Sequence, residues 1–320
     1  MEKWKVVMTG TTWPDAMSLI EARCQVRLWQ GEGSIPRALL MAWLSDADGM
    51  ISTGDVQVDA ELLASADKLR VIAQASAGVD NIDIGACARK GIAFFNTPGA
   101  LVEATADLTF GLVFNAARRI HEMWQIVREG RWGSWKDVPM GQDLHGKTLG
   151  IVGMGSIGAA VAKRAHAFGM NIVYHNRKRR EDEASWHARY ATLDQLLGQA
   201  DFVVVLVPLT DQSRRMFGQA QFAAMKPSAS FVNASRGQLV DTDALYEALS
   251  HRTVAYAALD VTDPEPIPAD HPLLSLPNLF ITPHIGSATT ETRQRMANQA
   301  AEKLIAGLSG HFPPGRQETE

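Results

Sequence analysis

The chain has 320 residues, 46% of them apolar and 21% charged, enough for a sizeable core and more natural for two domains than for one. Its net charge of −4 gives no support for a nucleic-acid partner, and its only two cysteines, Cys24 and Cys87, make neither a disulfide framework nor the C-x-x-C spacing of a zinc or redox site. No signal-peptide core opens the sequence and no apolar stretch reads as the roughly 18 residues of a membrane helix, so a cytoplasmic protein without metal or membrane partner is expected.

In chain order, strand-like runs are expected at Val6 to Met8, Val26 to Leu28, Gly49 to Ile51, Leu69 to Ala73 and Ile92 to Phe95, with segments of helical length between them. This αβ alternation builds a parallel sheet covered on both faces. Within it, Ala75-Ser76-Ala77-Gly78-Val79-Asp80 follows a strand and consists mostly of small residues. Its N–H groups at Ala77 and Gly78 would suit an anionic substrate at a strand's carboxyl end, although an ordinary tight loop reads equally well. Asn96 to Gly99 is turn chemistry, and the longest helical pattern follows from Leu101 to about Glu129, with Ala104, Leu108, Leu112 and Ala116 in register. The segment 130–146 carries Trp132 and Trp135, which suit an interface, a pocket wall or a loop packed on its own domain.

Thr148 to Val152 is an apolar run suited to a buried strand, and Gly153-Met154-Gly155-Ser156-Ile157-Gly158 continues it as G-x-G-x-x-G. A helix is expected from Ile157, with Ile157, Val161, Ala165 and Phe168 on one face, followed by a second strand from Asn171 to His175. Glycine tolerates backbone angles that other residues resist and leaves room for a pyrophosphate, while the free N–H groups of the helix start attract its charge. Strand, turn and helix in succession therefore predict a dinucleotide site. Further strands are expected at Phe202 to Val207, Ser230 to Asn233, Val254 to Leu259 and Leu279 to Thr282, with helices from Thr242 to Ser250 and about Thr289 to Leu308. The last helix would return to the first domain, and the tail from Pro313 reads as frayed.

At the end of the second strand a carboxylate would favour NAD by accepting from the ribose hydroxyls. Here the sequence is Asn176-Arg177-Lys178-Arg179-Arg180, and a guanidinium grips a 2′-phosphate, so NADP(H) is preferred with NAD(H) possible. A solvated charge run balanced by Glu181, Asp182 and Glu183 is the competing reading.

Three polar residues follow three strands: Arg236, Glu265 and His284. In a parallel sheet all three would lie on the edge where a nicotinamide sits. Arginine can hold a carboxylate through two parallel hydrogen bonds, histidine can protonate a carbonyl oxygen as negative charge grows on it, and a carboxylate can orient and stabilise the imidazolium. That set suits reduction of a 2-oxo acid. Taken singly, each residue also fits a structural salt bridge, an exposed loop charge or a capping histidine.

Gly153-x-Gly155-x-x-Gly158, Ser235-Arg236-Gly237 with Val240-Asp241, Leu259-Asp260-Val261 leading to Pro264-Glu265-Pro266, and Pro283-His284-Ile285-Gly286 resemble the signatures of the D-isomer-specific 2-hydroxyacid dehydrogenases, most nearly the glyoxylate/hydroxypyruvate reductases. The likeness runs from about Gln74 to Leu308. It implies two Rossmann-like α/β domains with parallel sheets: a discontinuous, flavodoxin-like substrate domain (1–99 plus 287–320) and a doubly wound dinucleotide domain (100–286). It implies Arg236 as carboxylate anchor, His284 as general acid, Glu265 as its partner, Ala77 and Gly78 on the substrate, and Asp260 on the nicotinamide amide. Ser156, Ile157, Asn176, Arg177, Lys178, Val207, Pro208, Ala234 and Gly286 complete the expected cofactor contacts. A homodimer through the long helix and the Trp-containing segment is also implied. Asn176 departs from the acid common in the family, which weakens the case for NAD. The function expected is an NADPH-preferring reductase of hydroxypyruvate and glyoxylate. The alternatives are a 2-ketogluconate-type reductase, a phosphite- or formate-type dehydrogenase, and a non-catalytic dinucleotide-sensing protein like the family's corepressor relatives.

Overall fold

A strand buried on both faces needs an unbroken apolar run rather than alternation, and most of the chain's strands are of that kind. In the computed structural model, which describes residues 3–312 and 315–318, they form two wholly parallel sheets. The chain divides into two units, Met1–Leu101 with Ala288–Glu320, and Val102–Ser287.

The first unit holds β1 (Trp4–Met8), β2 (Cys24–Leu28), β3 (Gly49–Ser52), β4 (Val71–Gln74) and β5 (Ala93–Phe95). Their order across the sheet is β5-β4-β3-β1-β2, the flavodoxin-like pattern. Apolar clusters cover both faces, one of them lined by Ala297, Ala300, Ala301 and Leu304 of the helix Thr290–Leu308. The expected fraying of the tail is corrected at Gln317–Glu318, which pairs in parallel with Phe94 and Phe95 of β5. Pro313, Pro314, Thr319 and Glu320 lie outside the described residues. Cys24 and Cys87 are buried here, and burial pushes both thiols up to about 11, away from thiolate chemistry.

The second unit contains β6 (Thr148–Val152), β7 (Asn171–His175), β8 (Ala188–Tyr190), β9 (Phe202–Val205), β10 (Ser230–Asn233), β11 (Tyr256–Leu259) and β12 (Leu279–Ile281). The spatial order β12-β11-β10-β9-β6-β7-β8 is the doubly wound nucleotide-binding order with a seventh strand added. Its switch point falls between β6 and β9, where the chain turns away in opposite directions. The short β8 escaped the sequence reading because Ala-Arg-Tyr carries little apolar signal.

Three expectations about the helices need correction. The long pattern after Leu101 is two helices, Val102–Arg118 and Ile120–Arg128, broken at Arg119, whose φ is 52°. Asn115 stabilises the break by accepting the His121 N–H at 2.9 Å. The segment Pro98–Arg118 also has the length and apolarity of a membrane span, contrary to the reading from sequence. Its helix owes that apolarity to packing on β10, β11 and the helix Ser156–Ala167. In Ser156–Ala167 the buried stripe is Gly158, Ala159, Ala160, Val161, Ala162 and Ala165, small residues that let the helix lie close to the sheet. Phe168, assigned to that face from sequence, is 45% exposed at the C-cap and packs on Phe110 and Phe114.

Candidate active site

The glycine turn joins β6 to the helix Ser156–Ala167, and each glycine has a separate reason. Gly153 has φ +105°, and a Cβ there would sit 2.6 Å from the Leu206 carbonyl carbon at the end of β9. A Cβ on Gly158 would stand 2.3 Å from the Gly153 oxygen. Gly155 differs, because a Cβ there would meet nothing within 4 Å. Gly153 and Gly158 thus close the turn against the sheet, while Gly155 faces open space at a helix start whose first N–H groups find no acceptor among the described residues. Those features fit a dinucleotide pyrophosphate.

Asn176, at the end of β7, serves that turn: its Oδ1 accepts the Met154 N–H at 2.7 Å. The basic run beyond it is divided. Arg179 forms two hydrogen bonds with Glu183, and Arg180 forks onto Asp182 with two bonds of 2.6 Å. Arg177 and Lys178 are exposed and form no ion pair among the described residues. The solvated-charge reading therefore describes the second half of the run and leaves the first half available.

On the other side of the switch point, Ser235 donates to the Val207 carbonyl at 2.5 Å, and Pro208 follows in the exposed loop. Ala234 is buried, and Asn233 bridges the turn after β10 by accepting the Ser235 N–H and donating to the Arg236 carbonyl. Arg236 thus leaves a turn held at three points. Gly237 follows it because a Cβ there would lie 1.9 Å from the Thr262 oxygen, so the loops after β10 and β11 touch backbone to backbone.

The loop after β12 is fastened by Asp260. This residue is 2% exposed; its Oδ1 accepts from the Thr282 hydroxyl at 2.6 Å and the Ile285 N–H at 2.8 Å, and its Oδ2 accepts the Gly286 N–H at 2.9 Å. Its carbonyl accepts the His284 N–H at 2.8 Å. His284 has φ 53°, in the left-handed region, and this clasp holds it there against a cost on the order of 1 kcal/mol. His284 Nδ1 lies 2.6 Å from Glu265 Oε1.

Burial works against ionisation of Glu265, but the His284 hydrogen bond and charge, the Thr262 N–H and the Arg236 charge outweigh it and hold the carboxyl below its usual range. An ionised Glu265 accepts from Nδ1–H, which leaves Nε2 as the ring nitrogen that Glu265 does not engage. Both side chains keep partial access to solvent, 46% for His284 and 37% for Glu265. Arg236, Glu265 and His284 thus stand on three consecutive sheet-edge loops. The clasp by Asp260 and the spacer role of Gly237 were not legible in sequence, since neither residue type announces a partner that lies on another loop.

In the first unit, the loop 75–80 is held through its carbonyls. Ser76 O accepts from Thr97, Ala77 O from Asn96 Nδ2, and Gly78 O from Gln74 Nε2 and the Ser76 hydroxyl. Among the described residues neither the Ala77 nor the Gly78 N–H donates a hydrogen bond. A loop tied down in this way can offer both N–H groups to an anion.

Residues 110–286 match the family model of the D-isomer specific 2-hydroxyacid dehydrogenase NAD-binding domain. The chain is 45% identical over 315 residues to a glyoxylate reductase of Korarchaeum cryptofilum, covering 98% of this chain and 95% of the relative. It is also 45% identical over 274 residues to glyoxylate/hydroxypyruvate reductase B of Klebsiella pneumoniae, covering 83% of each. Among solved structures, the NADPH-dependent glyoxylate/hydroxypyruvate reductase of Sinorhizobium meliloti, in complex with NADP and malonate, superposes with a TM-score of 0.87 at 30% identity, over 98% of this chain and 96% of that one. The glycine turn, the paired His284 and Glu265 and these likenesses agree: the chain belongs to the D-isomer-specific 2-hydroxyacid dehydrogenases, oxidoreductases that use NAD(P).

Proposed function

We propose that the chain is an NADPH-preferring reductase of small 2-oxo acids, glyoxylate and hydroxypyruvate first, giving D-2-hydroxy acids. The observation that carries this reading is the His284–Glu265 pair, 2.6 Å apart, on the sheet-edge loop next to the one that bears Arg236. The names of the relatives support the substrate class, and the malonate complex supports a site that accepts a small carboxylate.

A nicotinamide held by these residues would supply the hydride for the carbonyl carbon. Arg236 holds the substrate carboxylate through two parallel hydrogen bonds, fixing the carbonyl's orientation. His284 gives its Nε2 proton to the carbonyl oxygen as charge develops there. Glu265 keeps the ring in the tautomer and rotation that present Nε2. Gly153, Gly155, Ser156, Ile157 and Gly158 would hold the pyrophosphate, with Val207, Pro208, Ala234, Asp260 and Gly286 along the nicotinamide half. Arg177 and Lys178, unlike their two neighbours, are not engaged by Asp182 or Glu183 and would take the 2′-phosphate.

The same reading includes a symmetric dimer. Ile120, Trp124, Val127, Trp132, Trp135 and Met140 are each 50 to 71% exposed and lie within one short stretch of chain. So much exposed apolar surface in one segment suits a self-complementary interface.

The test is a panel of 2-oxo acids with NADPH and NADH, read as loss of nicotinamide absorbance. We expect glyoxylate and hydroxypyruvate to be turned over at the highest kcat/KM, with NADPH ahead of NADH. Preference for 2-ketogluconate would move the substrate assignment. Turnover of phosphite or formate with NAD, and of no 2-oxo acid, would overturn it.

A further inference from the structure

The second half of the basic run is engaged within the protein. Arg180 Nη1 donates to the Met154 carbonyl at 2.9 Å, and Met154 lies inside the glycine turn between Gly153 and Gly155. Asn176 holds the same residue at both ends, its Oδ1 accepting the Met154 N–H at 2.7 Å and its Nδ2 donating to the carbonyl at 3.4 Å, a longer bond than that from Arg180. The other edge of the Arg180 guanidinium is forked onto Asp182, whose carboxyl these bonds hold well below the ordinary carboxylate range; Trp186 Nε1 donates to it as well. The Arg180 N–H is in turn accepted by the Tyr174 hydroxyl, which donates to Glu183. All three guanidinium nitrogens of Arg180 and its backbone N–H are therefore engaged by the turn or by neighbouring residues of the protein.

The geometry of the peptide bond gives this a consequence. The described chain has cis peptides only at Asp263-Pro264 and Glu265-Pro266, so the peptide joining Met154 to Gly155 is trans, with its C=O and N–H pointing in opposite directions. A carbonyl drawn toward Arg180 turns the Gly155 N–H away from it. At Gly155 a Cβ would meet nothing within 4 Å, and among the described residues the Gly155 N–H donates to no acceptor. We propose that Arg180 is a positioning residue: by holding the Met154 carbonyl, it aims the Gly155 N–H at the cofactor pyrophosphate, and Asp182 keeps its guanidinium off the 2′-phosphate. This rests on the reading that the glycine turn holds the pyrophosphate. It deepens that reading by dividing the basic run into a discriminating half, Arg177 and Lys178, and a half that serves both cofactors alike.

The experiment is isothermal titration of the full chain with NADPH, NADH and ADP-ribose, which keeps the pyrophosphate and lacks nicotinamide. It compares wild type, Arg177→Ala, Arg180→Met and Arg180→Lys. Arg180→Met removes one charge-assisted hydrogen bond from the turn, so all three Kd values should rise by a common factor on the order of ten-fold. Arg180→Lys, which keeps one donor, should recover part of the loss. The KM for the 2-oxo acid at saturating cofactor and the melting temperature measured with each variant separate this effect from a general loss of structure, which would move both. Arg177→Ala should raise the NADPH value alone. An NADPH-selective loss in Arg180→Met would make Arg180 a phosphate reader and overturn the proposal; unchanged Kd values in both Arg180 variants would overturn it too. Wild-type protein that binds none of the three ligands would instead refute the underlying reading of the glycine turn.

Discussion

Replacing Gly237 by alanine tests the site's architecture through a group that never touches substrate. The new Cβ would lie 1.9 Å from the Thr262 oxygen, 2.0 Å from its carbonyl carbon and 2.6 Å from the Asp263 nitrogen, all backbone atoms that cannot swing aside. Reaching even the 3.0 Å that real Cβ contacts respect opens the two loops by about 1.1 Å. One loop carries Arg236 and the other carries Glu265, which sets the His284 ring. A displacement near 1 Å in a reacting constellation costs about 100-fold in rate, or about 2.7 kcal/mol of transition-state stabilisation. Overpacking adds a loss of stability of about 1–3 kcal/mol. Gly237→Ala should therefore lower kcat/KM for glyoxylate by about two orders of magnitude, with the NADPH Kd within about three-fold of wild type because the glycine turn is untouched. Gly198→Ala is the control: it lies exposed in the helix Leu193–Gln199 with nothing within 4 Å of the new methyl, and should stabilise by up to about 1 kcal/mol without affecting rate. A Gly237→Ala enzyme within two-fold of wild type would refute the idea that this backbone contact sets the spacing of the two loops.

Three further outcomes follow from the same geometry. Asp260→Ala leaves the Thr282 hydroxyl and the Ile285 and Gly286 N–H groups without their acceptor, and should cost about 3 kcal/mol or more in urea unfolding together with most of the turnover; a loss under about 1 kcal/mol at wild-type rate would show that the clasp is dispensable. The lowered pKa of Glu265 means that its favourable pairing with His284 is fully present above its unfolded value, near pH 4.3, and is lost only as pH falls through its lower folded value. The acid limb of kcat/KM should accordingly lie below about pH 4.3 and vanish in Glu265→Gln, whereas a limb at pH 5 or above, or one unchanged in the variant, contradicts the assignment. Val127→Glu places a charge amid the exposed apolar residues of 120–140 and should convert a dimer to monomer in sedimentation velocity at micromolar concentration; an unchanged sedimentation coefficient would remove that segment from the interface.

The strands β6, β7 and β10 were legible to the residue because each is a short run buried on both faces and bounded by turn residues. Where apolar periodicity was the only guide, boundaries moved. β9 stops at Val205 rather than Val207, since Leu206 and Val207 already belong to the loop that closes on Gly153 and Ser235. The break at Arg119 could not be read, because Ala, Arg and Ile all suit a helix and the cause is Asn115 taking the His121 N–H. Arg236, Glu265 and His284 were singled out from their places after strands, a relation that a parallel sheet converts into spatial order. The residues that hold them, Asp260, Gly237, Asn233 and Ser235, act through partners on neighbouring loops or on their own turn, and no spacing rule encodes those. The basic run shows the same limit in reverse: four consecutive cations read as one feature, while Glu183 and Asp182 divide them into two.

The most direct test of the catalytic assignment is His284→Asn, assayed with glyoxylate at saturating NADPH alongside NADPH binding by titration. We expect NADPH to bind within about three-fold of wild type while kcat falls by 10² to 10⁴, roughly the range for loss of a positioned general acid. Turnover within ten-fold of wild type, with the fold intact, would contradict the role given to His284.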